Sequence, residues 1–140
     1  MAQTHLALKR VHIIIGLVLF VIFLLTGQYM DKLHNHLHGM ADGPRMLYRS
    51  RHIYILLSAM LHLGVGSYFT YHLQTARRTI QLIGSLFITI ASALFVYAFF
   101  YEPTLTGLYT PISHKGIYLI VAGTFLHLLS GVNAKSSARD

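Results

Sequence analysis

Apolar residues in this chain come in unbroken runs about twenty residues long, with hardly a charge inside them, and that pattern limits the folds open to it more than anything else in the sequence. The first run covers residues 11–30, and at about 1.5 Å per helical residue it is long enough to cross a hydrocarbon layer of roughly 30 Å. Only 11% of the 140 residues are charged, where a soluble domain carries roughly 25%. A chain this apolar is expected to be integral to a membrane. In lipid every backbone polar group must be satisfied within its own segment, so the runs are read as helices.

Four spans are expected, at about 11–30, 53–73, 79–100 and 116–133, in one domain. The first lacks a small-residue cleavage site after a short core, so it is read as an anchor and not a signal peptide. A polar loop over 31–51 contains the turn signal Ala41-Asp42-Gly43-Pro44. Residues 74–78 form a tight basic turn, Tyr101-Glu102-Pro103 stops the third span, and a second loop covers 104–115. Lys9, Arg10, Arg77, Arg78, Lys135 and Arg139 share one side, against Lys32, Arg45, Arg49, Arg51 and Lys115 on the other. That bias places the termini in the cytoplasm, and a bacterial inner membrane suits it. The net charge of +7 then belongs to lipid headgroups, because the basic residues flank the apolar runs. Nucleic acid is not an expected partner.

The two halves of the chain, about 9–73 and 77–139, align with each other. Lys9-Arg10 and Gly16 match Arg77-Arg78 and Gly84, and Leu61-His62-Leu63 matches Leu126-His127-Leu128. The expected fold is therefore all-α, a transmembrane antiparallel four-helix bundle with an internal two-helix repeat.

The register puts His62 and His127 at one depth, roughly 15 Å into the layer. An ionisable side chain there marks a functional site with a partner to be named, and each His is the other's natural partner. Small residues flank both at one helical turn: Ser58 and Gly66 about His62, Gly123 and Gly131 about His127. Gly16 and Gly84 lie at a similar level on the first and third spans. Strips cleared of bulk around two imidazoles suit a flat cofactor, haem b held by two axial histidines. They suit tight helix packing as well, since membrane helices use small residues at their contacts.

In this arrangement the chain resembles the small membrane b-type cytochromes, four-helix bundles of the cytochrome b561 kind and the core of cytochrome b. The resemblance implies His62 and His127 as axial iron ligands, with Gly16 and Gly84 giving the porphyrin clearance. It implies one-electron transfer, linked to a quinol or within a larger redox complex. One departure is that His52 and His62 are ten residues apart while His114 and His127 are thirteen apart, which turns one of the first pair by about 80°. The number of haems, one or two, stays open.

The other histidines offer further choices. His12 with His72 at one edge, and His52 with His114 at the other, suit a second haem, a quinone headgroup or plain interfacial positions. In the first loop His34, His36 and His38 alternate and are followed by Met40, a donor set for copper or zinc. A metal-handling or accessory membrane protein using that loop is the competing function. Zero Cys removes disulfides, thiolate metal sites and covalent haem, and no phosphate loop, nucleophile elbow or zinc-protease motif is present. Expected partners are membrane lipid, a quinone and a redox protein or complex, with a homo-oligomer also open.

Overall fold

In a computed structural model the described residues, 2–68, 74–105 and 109–132, are all helical apart from short connections. The order is α1 (Ala2–Lys32), a 3₁₀ turn (Asn35–Leu37), α2 (Asp42–Tyr68), α3 (Thr75–Tyr101), a second 3₁₀ turn (Glu102–Thr104) and α4 (Pro111–Val132). Three of these helices are long and apolar enough to cross a membrane: α1 over Leu8–Lys32, α3 with its 3₁₀ extension over Thr75–Thr104, and α4 over Pro111–Ser130. The first part of α2, with Asp42, Arg45, Arg49 and Arg51, is far more polar, and the span expected to reach residue 73 leaves the described residues after Tyr68.

Two boundaries correct the sequence reading. The loop expected over 31–51 shrinks to a short connection, because α2 begins at Asp42. Asp-Gly-Pro reads as a turn, yet Asp in the first turn suits the positive end of the helix dipole, and Pro44 occupies first-turn positions whose N–H has no intrahelical partner. Likewise α4 starts at Pro111 and not near Gly116, again with proline at the first helical position.

The helices are tied most closely within the pairs α1–α2 and α3–α4, with α2 against α3. At the centre, α3 buries Gln81, Gly84, Ile88, Ala91, Phe95 and Ala98 at alternating spacings of three and four, with Ser85, Ser92 and Phe99 beside them. That spacing is the seam of a helix packed on both flanks. Facing outward are large apolar side chains, among them Leu25 at 57% exposure and Val121 at 62%. Meanwhile His12, His62, Ser92 and Thr26 are at most 2% exposed. Large apolar side chains outside, over a core that buries imidazoles and hydroxyls among its apolar residues, are unlike a soluble domain and match the apolar surroundings that the three long helices require.

One buried carboxylate joins three of these elements. Glu102, fully buried, accepts the backbone N–H of Ile112 at 2.9 Å and of Ser113 at 2.8 Å, the Ser113 hydroxyl at 2.6 Å and the Arg51 Nε–H at 2.7 Å. The two amides are donors at the start of α4 that have no partner within their own helix. Glu102 therefore caps α4 from the end of α3 and neutralises Arg51 of α2, whose guanidinium lies over the Tyr54 ring. Glu102→Ala strands a buried cation and two amides, so it should destabilise the fold by about 3–5 kcal/mol. Thermal unfolding in detergent checks this, and once Arg51 is already Ala the further cost of losing Glu102 should be much smaller.

Candidate functional site

The site forms where all four helices meet. His12 of α1 places Nδ1 2.8 Å from Nδ1 of His62 on α2. Its Nε2 lies 3.0 Å from Ser85 Oγ on α3, and the same hydroxyl lies 3.1 Å from His127 Nε2 on α4. His62 Nε2 lies 3.2 Å from Ser92 Oγ, one heptad further along α3. The ring centroids of His12 and His62 are 4.9 Å apart, and those of His12 and His127 are 6.3 Å apart and nearly perpendicular.

The Ser92 hydroxyl lies within hydrogen-bonding distance of two groups, the Ile88 carbonyl at 2.8 Å and His62 Nε2 at 3.2 Å. When its proton goes to the carbonyl, the shorter contact, Ser92 accepts from His62, which then carries its proton on Nε2. With the rings neutral, as burial without a counter-charge requires, His62 Nδ1 is bare and His12 Nδ1–H donates to it. His12 Nε2 is then bare and takes the Ser85 proton, which leaves Ser85 to accept from His127 Nε2–H. With Ser92 so oriented, every bond in the chain His127–Ser85–His12–His62–Ser92 points the same way, and with its proton on His62 instead every bond reverses. Ser85 and Ser92 are seven residues apart, so the chain advances roughly 10 Å along α3.

This arrangement departs from the one expected for haem. His62 and His127 are not each other's partners, because His12 hydrogen-bonds directly to His62 and reaches His127 through Ser85. His12, read from the sequence as an edge residue, is 1% exposed at the centre of the cluster. The glycines make clearance, but for neighbouring helices. A Cβ on Gly16 would stand 2.8 Å from Leu63 Cγ, and one on Gly66 2.7 Å from Ile13 Cγ1. At Gly84 it would meet the Gly123 carbonyl oxygen at 2.9 Å, and at Gly123 that of Gly84 at 2.8 Å. A porphyrin between α2 and α4, faced by these glycines, does not fit this packing. Ser58, one turn from His62 and fully buried, has a hydroxyl without a hydrogen-bond partner. Gly131 lies past the last residue whose surroundings are described, and His72 falls outside the described residues.

The remaining candidates are dispersed. His52 stacks on Phe23 at 4.1 Å and meets Thr26 Oγ1 at 2.9 Å, while His114 is exposed at the start of α4 beside Thr110. Around the first 3₁₀ turn, Asn35, His36 and Leu37 have φ of 46°, 56° and 63°. This left-handed turn replaces the alternation expected of an extended segment. His36 pairs with Asp31, His34 sits between Tyr29 and Tyr48, and Met40 packs against the core. His36 and His38 rings are 6.2 Å apart, edge to face, so the four donors do not converge. Among the described residues no group of three or more His, Asp or Glu side chains is arranged to hold a metal ion.

Sequence reasoning passed over Ser85 and Ser92. Their only signal is the seven-residue spacing on the buried seam. Comparison with known proteins finds no matching family model, and neither a curated protein nor a solved structure is significantly similar.

The proton assignment is directly testable. In protein labelled with ¹⁵N-histidine, the three cluster residues should appear as His12 protonated on Nδ1, with His62 and His127 protonated on Nε2. Ser92→Ala should release His62 from this tautomer, whereas His114→Ala should leave all three unchanged.

Proposed function

We propose that this protein is an integral membrane proton relay, the proton-handling part of a redox system in which a partner carries the electrons. In this reading the four helices form an antiparallel bundle of two repeated halves, with the termini in the cytoplasm of a bacterial cell. The observation that supports it most is the unbroken run of hydrogen-bonding contacts from His127 through Ser85, His12 and His62 to Ser92. A proton given to one end and taken from the other needs only a shift along bonds already made, through imidazoles that accept on one nitrogen and release from the other.

A relay makes a prediction about exchange. His62 is fully buried, so its ring proton can be replaced from the aqueous phase only by way of its hydrogen-bonded neighbours or by opening of the fold. After transfer into deuterium oxide, His62 N–H exchange should be about a hundredfold slower in Ser85→Ala than in the parent protein, the scale of loss expected when a positioned proton-transfer group is removed. Backbone exchange in the middle of α2 serves as the gauge of opening. An unchanged His62 rate with unchanged backbone protection would end the relay reading.

A second reading, the b-type cytochrome, keeps one observation in its favour. His12 and His127 both direct Nε2 toward Ser85 with their rings perpendicular, an approach that suits two ligands on one iron. It requires α1 and α4 to be spread apart to admit a porphyrin, and electron transfer would then run through this chain. A reduced-minus-oxidised visible spectrum of protein expressed with ample haem decides between them. Sharp six-coordinate bands lost in both His12→Ala and His127→Ala would establish the cytochrome.

A further inference from the structure

Alongside the cluster, α1 and α3 enclose an open groove of about 570 Å³, walled by apolar side chains such as Ile14, Val18 and Ile22 from α1 and Ala93 and Val96 from α3. It opens on the outer face, where Ile14 and Val18 are more than half exposed. The His12–Ser85 contact sets the heights of the two helices against each other. Every wall residue follows His12 in α1 or Ser85 in α3, so both helices run the same way along the groove. Both also carry a basic pair before that contact, Lys9-Arg10 on α1 and Arg77-Arg78 on α3. The groove therefore leads away from four cations gathered at one end of the two helices.

The rows of side chains that wall the groove lead back to those cations. Arg10, Ile14, Val18 and Ile22 follow one another at spacings of four and form one row along α1. On α3 the row running back from Ala93 through Leu86 and Leu82, both exposed, ends at Arg78. Measured from Arg10, Ile14 to Ile22 lie roughly 6 to 18 Å deep, which is about one leaflet of a hydrocarbon layer roughly 30 Å thick. The groove thus belongs to the leaflet whose headgroups meet the basic pairs. Among the described residues every carboxylate is engaged elsewhere: Asp31 with His36, Asp42 with Arg45 and Glu102 with Arg51. An apolar slot one leaflet deep, headed by cations, is complementary to an acyl chain beneath an anionic head.

We infer that the α1–α3 groove is a binding site for an anionic phospholipid, with one acyl chain along Ile14, Val18 and Ala93 and its phosphate between Lys9-Arg10 and Arg77-Arg78. Each part of the site disfavours a different competitor. A zwitterionic lipid fits the slot, but its own cation opposes the four already there. Free phosphate meets only the interfacial cations, where salt and water screen it, and gains nothing from the slot. A second copy of the chain in the same orientation would bring its basic pairs to the same level, like charge against like. The inference needs only the groove and the charges, so it stands apart from the relay.

Native mass spectrometry of the full chain in detergent can compare phosphatidylglycerol with phosphatidylcholine of the same acyl chains, and a phosphatidylglycerol with a photoreactive diazirine in one chain maps the contact. Phosphatidylglycerol is expected to bind about tenfold more tightly and to label residues 14–22 or 89–100. Arg10→Gln combined with Arg78→Gln should abolish the preference, while Lys32→Gln combined with Lys115→Gln, at the other end of the helices, leaves it intact. Ala93→Phe, which fills the slot from an exposed position, should remove the labelling. Equal binding of the two lipids would make the groove an ordinary lipid seat and overturn the inference. So would labelling elsewhere, no labelling, equal loss in the two double variants, or displacement of the lipid by inorganic phosphate alone. An Ala93→Phe protein whose oligomeric state changes would assign the face to a second copy and overturn it too. If thermal unfolding without added lipid shows the arginine variant misfolded, the preference and the labelling map of the parent protein decide.

Discussion

Burial of polar groups where water cannot reach them is the constraint on which this structure depends. Each such group must find a side-chain or backbone partner, and the partners come from different helices. Glu102 shows the consequence at one end of the molecule. Its two oxygens take four hydrogen bonds from α2 and α4 while its backbone continues α3. The relative heights of three helices are thereby set by one carboxylate. The glycines set the other coordinate, the distance between axes: Gly84 and Gly123 bring α3 and α4 to carbonyl contact, and Gly16 and Gly66 let α1 and α2 close on Leu63 and Ile13. A hydrogen-bond chain with links of 2.8 to 3.2 Å tolerates displacements of only about 0.5 Å. Height and separation both have to be held for His12, His62 and His127 to meet.

The same constraint decides what was legible in the sequence. Long apolar runs announce α1, α3 and α4 without ambiguity, since nothing else explains twenty residues with almost no charge. Intramembrane cost singled out His62 and His127, because histidine at that depth has to be compensated. His12 was read as an edge residue from its distance to Lys9 and Arg10, and what the sequence did not show is that α2 packs on α1 at that level, where Gly66 lies against Ile13 and Lys9 and His62 comes within 2.8 Å of His12. Serine sends a weaker signal still. A hydroxyl in an apolar helix can satisfy itself on the carbonyl one turn back, so Ser85 and Ser92 looked inexpensive, and only the packed seam of α3 shows that they join histidines of three other helices.

The glycines illustrate a different limit. Their pattern correctly marks places cleared of side chains, but clearance does not say what comes in. A porphyrin face and a neighbouring backbone ask for the same absence of a Cβ. Only the pairing of Gly84 with Gly123, each closed by the other's carbonyl, identifies the occupant as a helix. The left-handed turn at Asn35, His36 and Leu37 was hidden likewise. None of these residues is glycine, and left-handed backbone costs each about 1–2 kcal/mol. Burial of Leu37, 3% exposed, and the Leu37 N–H bond to the His34 carbonyl at 2.8 Å hold the turn against that cost.

A chain of hydrogen bonds that all point one way also has a memory. Once a proton has moved from the His127 end to the Ser92 end, each imidazole has exchanged its tautomer and each hydroxyl has turned, so a second proton cannot follow until the chain resets. The two kinds of member differ in how readily they do so. Serine hydroxyls rotate about a single bond, whereas a buried imidazole held on both nitrogens must pass a proton back or turn its whole ring. When Ser92 gives its proton to the Ile88 carbonyl within its own helix, that bond orients every tautomer upstream. In that arrangement the backbone of α3 sets the polarity of the cluster, through a serine that is itself buried.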